Sequence, residues 1–359
     1  MASLEQLPVT FIDTIIIPVK SYRFIGLDFF EDGKSNFKNY FKFMMFFILA
    51  FVFCFGLIYF YIKINEIDAG ILETSNVMCT SCLMIQCASK ISLIKKKHLI
   101  RSVVYGLAEL WPGESQDLEK KIIIDSWLHR IKIISDFVFK FSIFGLTVFN
   151  GVAVFIYSVK RYSDENAAYV LAFHQHFPFE INSLWKYLLI CLMQCLASTV
   201  LYECCYLACD MFLFTLTFDV SLLLRLLQVD LRNMTVERSG PGMEEAIDNL
   251  KNVVKRHQKI LKLADTLNEI FSNIMFTLLM FSSLIMCFYG FLFIVISDKF
   301  QKFVYITAAL EILFAVFYIM LPGQILINTS SGVADAAYDT LWYNGDERFK
   351  KMIFIIIAR

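Results

Sequence analysis

The chain has 359 residues, of which 58% are hydrophobic and 18% are charged, and its formal net charge is zero. Soluble domains are nearer half apolar and about a quarter charged. The apolar excess favours a membrane protein, and the balanced charge gives no reason to expect a nucleic-acid partner. The sequence contains neither a nucleophile elbow nor a phosphate-binding glycine loop, so we expect no enzyme, no cofactor and no metal.

Six stretches of the chain have the length and composition of membrane-crossing helices. A helix needs about 20 apolar residues to cross a bilayer. The stretch 71–94 is the weakest because it carries Glu73, Gln86 and Lys90, and the stretch 187–218 is unusually long. The predicted fold is therefore an all-α polytopic membrane helical bundle. The six predicted spans are 41–62, 71–94, 137–159, 187–218, 274–296 and 303–326.

The basic residues predict how the chain is oriented. The leading segment, the second-to-third connection, the fourth-to-fifth connection and the tail are rich in Lys and Arg, whereas the other three connections carry few. Cytoplasmic connections carry the excess of basic residues, so the N-terminus is predicted to be cytoplasmic. This orientation argues against a G-protein-coupled receptor, whose N-terminus lies outside the cell.

All ten cysteines fall within apolar stretches. A secreted disulfide framework would place them in polar connections, so we expect them to pack between helices. Cys79-x-x-Cys82 has no second Cys or His pair at ligand spacing, so no metal site is predicted there. The first 40 residues contain one short apolar run, 14–19, which is too short for a cleavable signal peptide.

The long connection 222–273 has the pattern of an amphipathic helix. Ser239-Gly240-Pro241-Gly242 supplies a break before the pattern begins. We expect a helix that extends the fifth span below the membrane and packs against partner helices, with a solvated helix as the alternative. Apolar residues recur at helical spacing with charges between them: Ile247, Leu250, Val254, Ile260, Leu261, Ala264, Leu267 and Phe271.

The segment from Pro322 onward carries the most specific pattern in the chain. It contains Ser330, Val333-Ala334-Asp335-Ala336-Ala337-Tyr338, Leu341-Trp342-Tyr343 and Arg348-Phe349-Lys350-Lys351, and it leads to Arg359. This order resembles the C-terminal signature of insect odorant receptors. Two other segments resemble that family's N-terminal segment and its entry into the fifth span: Arg23-Phe24-Ile25-Gly26-Leu27 and His257-x-x-Ile260-Leu261.

The resemblance covers essentially the whole chain and implies a variable odour-tuning subunit. The family's universal co-receptor has a much larger fourth-to-fifth connection, and gustatory relatives end in a different signature. The implied protein is a ligand-gated non-selective cation channel in the cell membrane of olfactory sensory neurons. It would bind a volatile small-molecule odorant and assemble with the co-receptor as a hetero-tetramer in the lipid bilayer.

The resemblance also implies a domain organisation. In the family a seventh span follows the Arg, and this chain stops at Arg359, so six spans of an expected seven are predicted. The implied regions are a cytoplasmic N-terminal segment (1–40), an odorant-binding bundle of spans one to four (41–218), a cytoplasmic helical anchor (219–273), spans five and six (274–326), and a cytoplasmic anchor helix leading to the missing span (327–359).

An odorant site should be an apolar, aromatic-lined cavity with a few polar groups. The resemblance places it in the outer half of the bundle, and plain packing is the alternative for each aromatic side chain there. Depth along the predicted spans nominates Met78, Cys82, Phe149, Asn150, Gln194, Thr199, Tyr202 and Tyr305. For the contact between subunits, the resemblance nominates aromatic anchors: Tyr338, Trp342, Tyr343 and Phe349.

Two acids in the predicted fourth span need a reason to be there. A charge buried in a membrane faces a partner, a cavity or water. Glu203 and Asp210 are seven residues apart and are predicted to share one helical face. We expect a polar contact that positions the fourth helix or couples ligand to gate; alternatively, this half of the helix has left the hydrocarbon. The segment His174-Gln175-His176 is interpreted as an ordinary polar loop.

Two other functions are weighed against the receptor. A gustatory-type chemoreceptor channel would share the bundle but not the tail signature. A secondary transporter would show inverted repeats and spans broken by Gly or Pro near the midplane. Neither pattern is evident in a chain with only 14 glycines.

Overall fold

In the computed structural model the chain is a helical bundle, described over residues 7–30, 37–67, 70–113, 117–163, 169–173, 175–236 and 241–358. No β-strand occurs in these ranges, which confirms the all-α prediction. The helices are α1 (Val9–Phe24), α2 (Phe37–Ile67), α3 (Ile71–Ile91), α4 (Lys97–Leu110), α5 (Leu118–Ser163), α6 (Leu184–Leu201), α7 (Ala208–Arg232), α8 (Pro241–Val295), α9 (Lys299–Tyr338) and α10 (Glu347–Ala358).

Seven helical stretches in the described part of the chain are long and apolar enough to cross a membrane. This count is one more than the six predicted spans, and the predicted truncation before a seventh span is not supported. The difference arises within 187–218, where a π-helical turn, Tyr202–Leu207, separates α6 from α7. We predicted one span there because the apolar composition continues through the turn.

The helix α7 is the centre of the fold. In its most apolar segment of 18 residues, 89% is buried inside the chain. The corresponding buried share is 22–44% in the other six stretches. Helices α1, α4, α5, α8 and α9 pack around it. Its apolar composition is therefore used for packing within the protein, because little of its surface is left to face lipid.

The predicted amphipathic stripe belongs to α8, which runs without a break into the predicted fifth span. Its core positions, such as Ile247, Leu250 and Leu267, are buried. Helices α3, α4, α7, α9 and α10 of the same chain contact α8. The structure confirms an extension of the fifth span and excludes the solvated alternative, since the stripe is covered by the chain's own helices.

Three helices are much longer than a bilayer is thick. Helix α8 has 55 residues, α5 has 46 and α9 has 40. At a rise of 1.5 Å per residue α8 is roughly 80 Å long, whereas the hydrocarbon core is only about 30 Å thick. The predicted boundaries after residues 218, 273 and 326 fall inside α7, α8 and α9, so each helix continues from one predicted region into the next.

A glycine permits the tight junction between α1 and α2. Gly26 follows the end of α1 with a φ of +84°. A Cβ added at Gly26 would overlap the carbonyl oxygen of Asn39 in α2. We expect Gly26→Ala to lower the free energy of unfolding by at least about 1–2 kcal/mol, because an L side chain is strained at this φ and also clashes. Thermal unfolding of the purified protein measures this loss.

The matched control for this prediction is Gly290→Ala in α8. Apart from its chain neighbours and the backbone of its own helical turns, nothing lies within 4 Å of the position where a Cβ would be added at Gly290. A neutral or slightly stabilising effect is expected there, because Ala is a better helix former than Gly. Equal effects at the two glycines would contradict the role given to Gly26.

Candidate functional site: an aromatic cavity between the helices

A cavity of about 90 Å³ lies where eight parts of the chain converge. Its walls come from α2, α3, α5, α6, α8, α9 and the π-helical turn, and the α5–α6 connection adds one further residue. All of its lining residues are buried or half-buried. They are Phe53, Thr80, Leu83, Met84, Cys87, Leu146, Phe149, Phe173, Ser198, Leu201, Tyr202, Tyr206, Tyr289, Ala308, Glu311 and Ile312.

One wall of the cavity is a residue of the α5–α6 connection that folds back into the bundle. The ring of Phe173 packs between Phe53 of α2 and Phe149 of α5, with centroid distances of 5.0 and 5.1 Å. The connection is therefore part of the cavity wall and not only a link between helices.

Glutamine side chains hold this connection in place. Gln194 of α6 donates to the carbonyl of Phe173 at 3.0 Å and to Oε1 of Gln175 at 2.9 Å. Gln175 in turn donates to the carbonyl of Phe53 at 2.8 Å, and the nearby Gly56 leaves room for its side chain. Since buried polar groups need partners, this chain of hydrogen bonds fixes the connection against α2 and α6.

The segment predicted as an ordinary polar loop is thus a structural element. Gln175 is buried, and Nε2 of His176 lies 2.5 Å from Oε1 of Glu73 at the start of α3. His174 lies outside the described residues. The described part of the segment closes the bundle at this end, and the contact with α3 explains the acid at the start of the predicted second span.

Among the described lining residues the cavity has one acidic group, the carboxylate of Glu311 in α9. The hydroxyl of Tyr202 donates to its Oε1 at 3.2 Å. Gly145 of α5 lets the carboxylate approach closely, because a Cβ there would lie 3.0 Å from Oε1. Glu311 is therefore held at the wall between α5, α9 and the π-helical turn.

A buried ion pair lies beside the cavity. Nζ of Lys90 in α3 is 2.6 Å from the carboxylate of Asp210 in α7, and both side chains are almost fully buried. The same Nζ lies 3.0 Å from the ring centroid of Tyr206, a lining residue, and that ring stacks on Tyr202 at 5.2 Å. The polar contact expected of Asp210 is present, whereas the side chain of Glu203 lies outside the described part of the structure.

The structure brings some of the nominated ligand-binding residues together. Phe149 and Tyr202 line the cavity. Tyr305, together with Phe149, lines an adjoining space of about 60 Å³. Gln194 holds the α5–α6 connection and also lines a groove at the outer surface of the bundle. These residues surround one region of the bundle, as expected for a site formed by several helices.

Four other nominated residues lie apart from the cavity. Asn150 and Thr199 line a groove between α5 and α6 that opens on the bundle surface. Met78 is partly exposed and accepts a hydrogen bond from the hydroxyl of Tyr61 at 3.3 Å. Cys82 is packed in an apolar cluster with residues of α8 and α9. None of the four lines the cavity, although Asn150 donates a hydrogen bond to the lining residue Ser198 at 3.3 Å. Position along a helix does not fix the direction in which a side chain points.

The sequence analysis missed four residues that shape the cavity: Phe173, Tyr206, Tyr289 and Glu311. Glu311 had a usable signal, since it is the single acid in its predicted span. The aromatic residues had none, because aromatic side chains occur throughout the spans and only the packing selects those that face the cavity.

The nominated subunit anchors cluster at the junction of α9 and α10. Tyr338 and Tyr343 are exposed, and the half-buried Trp342 contacts the rings of both. Phe349 is fully buried in this chain's own core, so it has no surface to offer a partner. The backbone N–H of Phe349 donates to Asp346 at 2.8 Å, which lowers the pKa of that carboxyl and caps α10.

The eight cysteines whose side chains are described have free thiols, and Cys79 and Cys82 are both buried. Within the described ranges no group of three or more His, Cys, Asp or Glu side chains is arranged to hold a metal ion.

A bundle with seven potential membrane helices in its described part, packed around a small aromatic cavity, is the architecture of a multi-pass membrane protein. The sequence profile described as 7tm Odorant receptor matches residues 70–359. The chain therefore belongs to the odorant receptor family, whose members are receptors and not enzymes.

Individual relatives agree with this assignment. Odorant receptor 67a of Drosophila melanogaster is 27% identical over 97% of this chain and 86% of its own length. Odorant receptor 85b of the same species is 34% identical over a shorter segment, 31% of this chain and 28% of its own length.

The fold is also found among solved structures. The insect olfactory receptor OR5 from Machilis hrabei superposes with a TM-score of 0.77 at 17% identity, over 96% of this chain and 87% of that chain. The structure of the same receptor in complex with eugenol gives a TM-score of 0.76 at 16% identity, over 97% of this chain and 88% of that chain.

Proposed function

We propose that this chain is the odour-binding subunit of a ligand-gated non-selective cation channel, and that the odorant binds in the aromatic cavity. The observation that carries the proposal is the convergence of eight parts of the chain on one small, mostly apolar space. Aromatic walls with a few polar groups suit a volatile ligand.

The position of the cavity suggests how binding is transmitted. A ligand shifts an equilibrium only as far as its contacts differ between the two states. A molecule in this cavity touches α9 through Ala308 and the π-helical turn through Tyr202 and Tyr206, and the turn leads directly into the central helix α7. Short π-helical turns are frequent at functional sites, which supports this turn as the place where α6 and α7 readjust.

The proposed assembly is a hetero-tetramer with the family's co-receptor in the cell membrane of olfactory sensory neurons, with the N-terminus cytoplasmic. The α9–α10 junction offers a contact surface, since Tyr338, Tyr343 and Phe354 are exposed next to Trp342. Exposed aromatic groups of this kind commonly act as anchors in subunit contacts.

Trp342→Ala is expected to weaken co-assembly by at least tenfold, because a truncated central aromatic anchor typically costs about 2 kcal/mol or more. Co-purification with the co-receptor from a membrane extract measures the effect. Trp185→Ala is the matched control, since Trp185 is exposed at the start of α6, on a different part of the surface. Unchanged co-purification of the Trp342 variant would place the subunit contact elsewhere.

The proposed function is tested by odour-evoked current in cells expressing this chain with and without the co-receptor. The panel contains esters, ketones, alcohols, amines and eugenol, the ligand named for the Machilis hrabei receptor. We expect a cation current that depends on this chain and on at least one odorant. Silence to the whole panel, with the chain present at the cell surface, would reject the proposed function.

A further inference from the structure

The cavity combines several aromatic faces with the carboxylate of Glu311. In the described part of the chain no Lys, Arg or His forms an ion pair with Glu311, and its hydrogen-bond donor there is the hydroxyl of Tyr202. The cation beside the cavity, Lys90, is already paired with Asp210 at 2.6 Å. A partly buried acid without a counter-charge is costly, so a ligand that brings a positive charge gains the most here.

The aromatic residues around Glu311 suit the same ligand. Phe53, Phe149, Phe173, Tyr206 and Tyr289 all line the cavity that Glu311 lines. The faces of aromatic rings attract cations, and this attraction grows when the cation is removed from water. A carboxylate within a set of aromatic rings is a recognisable site for an ammonium group.

We propose that this cavity selects small volatile amines, whose ammonium group pairs with Glu311 while the hydrocarbon part packs on the aromatic walls. The inference rests on the cavity being the odorant site of the proposed function. A ligand with only acceptor groups, such as an ester or a ketone, meets a carboxylate whose nearest hydroxyl already donates to it. An alcohol donates one hydrogen bond but leaves the charge uncompensated.

The size of the cavity limits the amine. A space of about 90 Å³ is smaller than the roughly 150 Å³ apolar cavity that binds benzene. A single-ring amine must therefore also use the adjoining space of about 60 Å³, which shares Thr80, Phe149 and Tyr289 with the cavity. Benzylamine fits this description, and ethylbenzene has the same shape with a methyl group in place of the amine. A difference in affinity between these two ligands therefore reports the effect of the ammonium group, since their shapes are nearly the same.

Binding is measured on the purified chain in lipid nanodiscs, through the rise in melting temperature that each ligand causes. We expect benzylamine to bind at least tenfold more tightly than ethylbenzene. Glu311→Gln, which keeps the shape of the side chain, should remove this preference and leave ethylbenzene binding within twofold. Glu269→Gln, at an exposed position of α8, is the matched control and should change neither affinity.

A second variant separates the carboxylate from the hydroxyl beside it, and the comparison of the two ligands on the unchanged chain tests the inference even if Glu311→Gln does not fold. Tyr202→Phe keeps the ring that stacks on Tyr206 and removes the hydroxyl that donates to Glu311. It should retain the preference for benzylamine, since the carboxylate is still present. Equal binding of benzylamine and ethylbenzene by the unchanged chain, or an unchanged preference in Glu311→Gln, would overturn the inference.

Ligand binding tests the amine preference and odour-evoked current tests the receptor function, so the two proposals can fail independently. A chain that prefers benzylamine but gives no odour-evoked current keeps the inference about the cavity and rejects the receptor function. A chain that responds to neutral odorants while binding benzylamine no better than ethylbenzene keeps the function and rejects the amine preference.

Discussion

Asp210→Ala is expected to lower the free energy of unfolding by about 3–5 kcal/mol, because it leaves the charge of Lys90 buried without a partner. The side chains of Lys90 and Asp210 are only 1% and 5% exposed, and their charged atoms are 2.6 Å apart. The remaining contacts of the ammonium group, the Tyr206 carbonyl at 3.4 Å and the Tyr206 ring, cannot neutralise it. The loss is read from thermal unfolding of the purified protein and from its amount at the cell surface.

A double variant separates the loss of the pair from the cost of an orphaned charge. Lys90→Met combined with Asp210→Leu removes both charges and retains apolar volume, so it should recover most of the stability. Glu109→Ala is the control, since Glu109 pairs with Lys259 at 2.7 Å but both are well exposed, and such pairs contribute at most about 1 kcal/mol. An Asp210 variant as stable as the control would contradict the buried pair.

The Asp210 variant is also expected to reduce the response to odorants beyond its effect on surface expression. Lys90 lies against the ring of Tyr206, and Tyr206 stacks on Tyr202 in the cavity wall. Loss of the pair releases this stack from α3 and α7. Current normalised to surface protein measures the effect. If Lys90→Met combined with Asp210→Leu restores stability but not the current, the charges themselves are needed for the response; if both are restored, packing is sufficient.

Ala308→Phe is expected to raise the odorant concentration needed for half-maximal current by at least tenfold. Ala308 is buried in α9 and lines the cavity, so an added ring occupies much of the 90 Å³ that the ligand requires. Adding a large side chain among closely packed neighbours typically lowers the free energy of unfolding by about 1–3 kcal/mol. Surface expression is therefore measured together with the current.

Leu310→Phe is the matched control for this prediction. It introduces the same ring two residues away, at a position that is 59% exposed on the bundle surface. The control should respond to odorants like the unchanged chain. If Ala308→Phe also responded normally to the whole panel, the ligand site would have to lie in one of the outer grooves, such as the one lined by Gln194.

The sequence predicted the helices well where a long apolar run makes an unbroken helix the only way to pair backbone groups in lipid. It also predicted that the stripe in 222–273 continues the fifth span, because apolar spacing of three and four residues belongs to a helix. It failed at 202–207, since a π-helical turn has no signature in composition.

The candidate site was predicted only in part for a related reason. The sequence predicts where a residue lies along its helix, and two of the residues nominated in this way, Phe149 and Tyr202, line the cavity. Rotation about the helix axis decides whether a residue at that depth faces the cavity, the core or lipid. Cys82 therefore packs behind the wall, in an apolar cluster that includes the lining residues Tyr289 and Ala308, and Met78 is partly exposed.

By itself the sequence determined that this protein is an all-helical membrane bundle with a long amphipathic extension and the signature of an odorant receptor. These properties follow from composition, periodicity and the order of residues along the chain. Only the tertiary structure decided that Lys90 meets Asp210, that Phe173 closes the cavity, and that Glu311 lies within its aromatic wall. These contacts join residues from different helices, and the way those helices pack is set by the fit of all their side chains together.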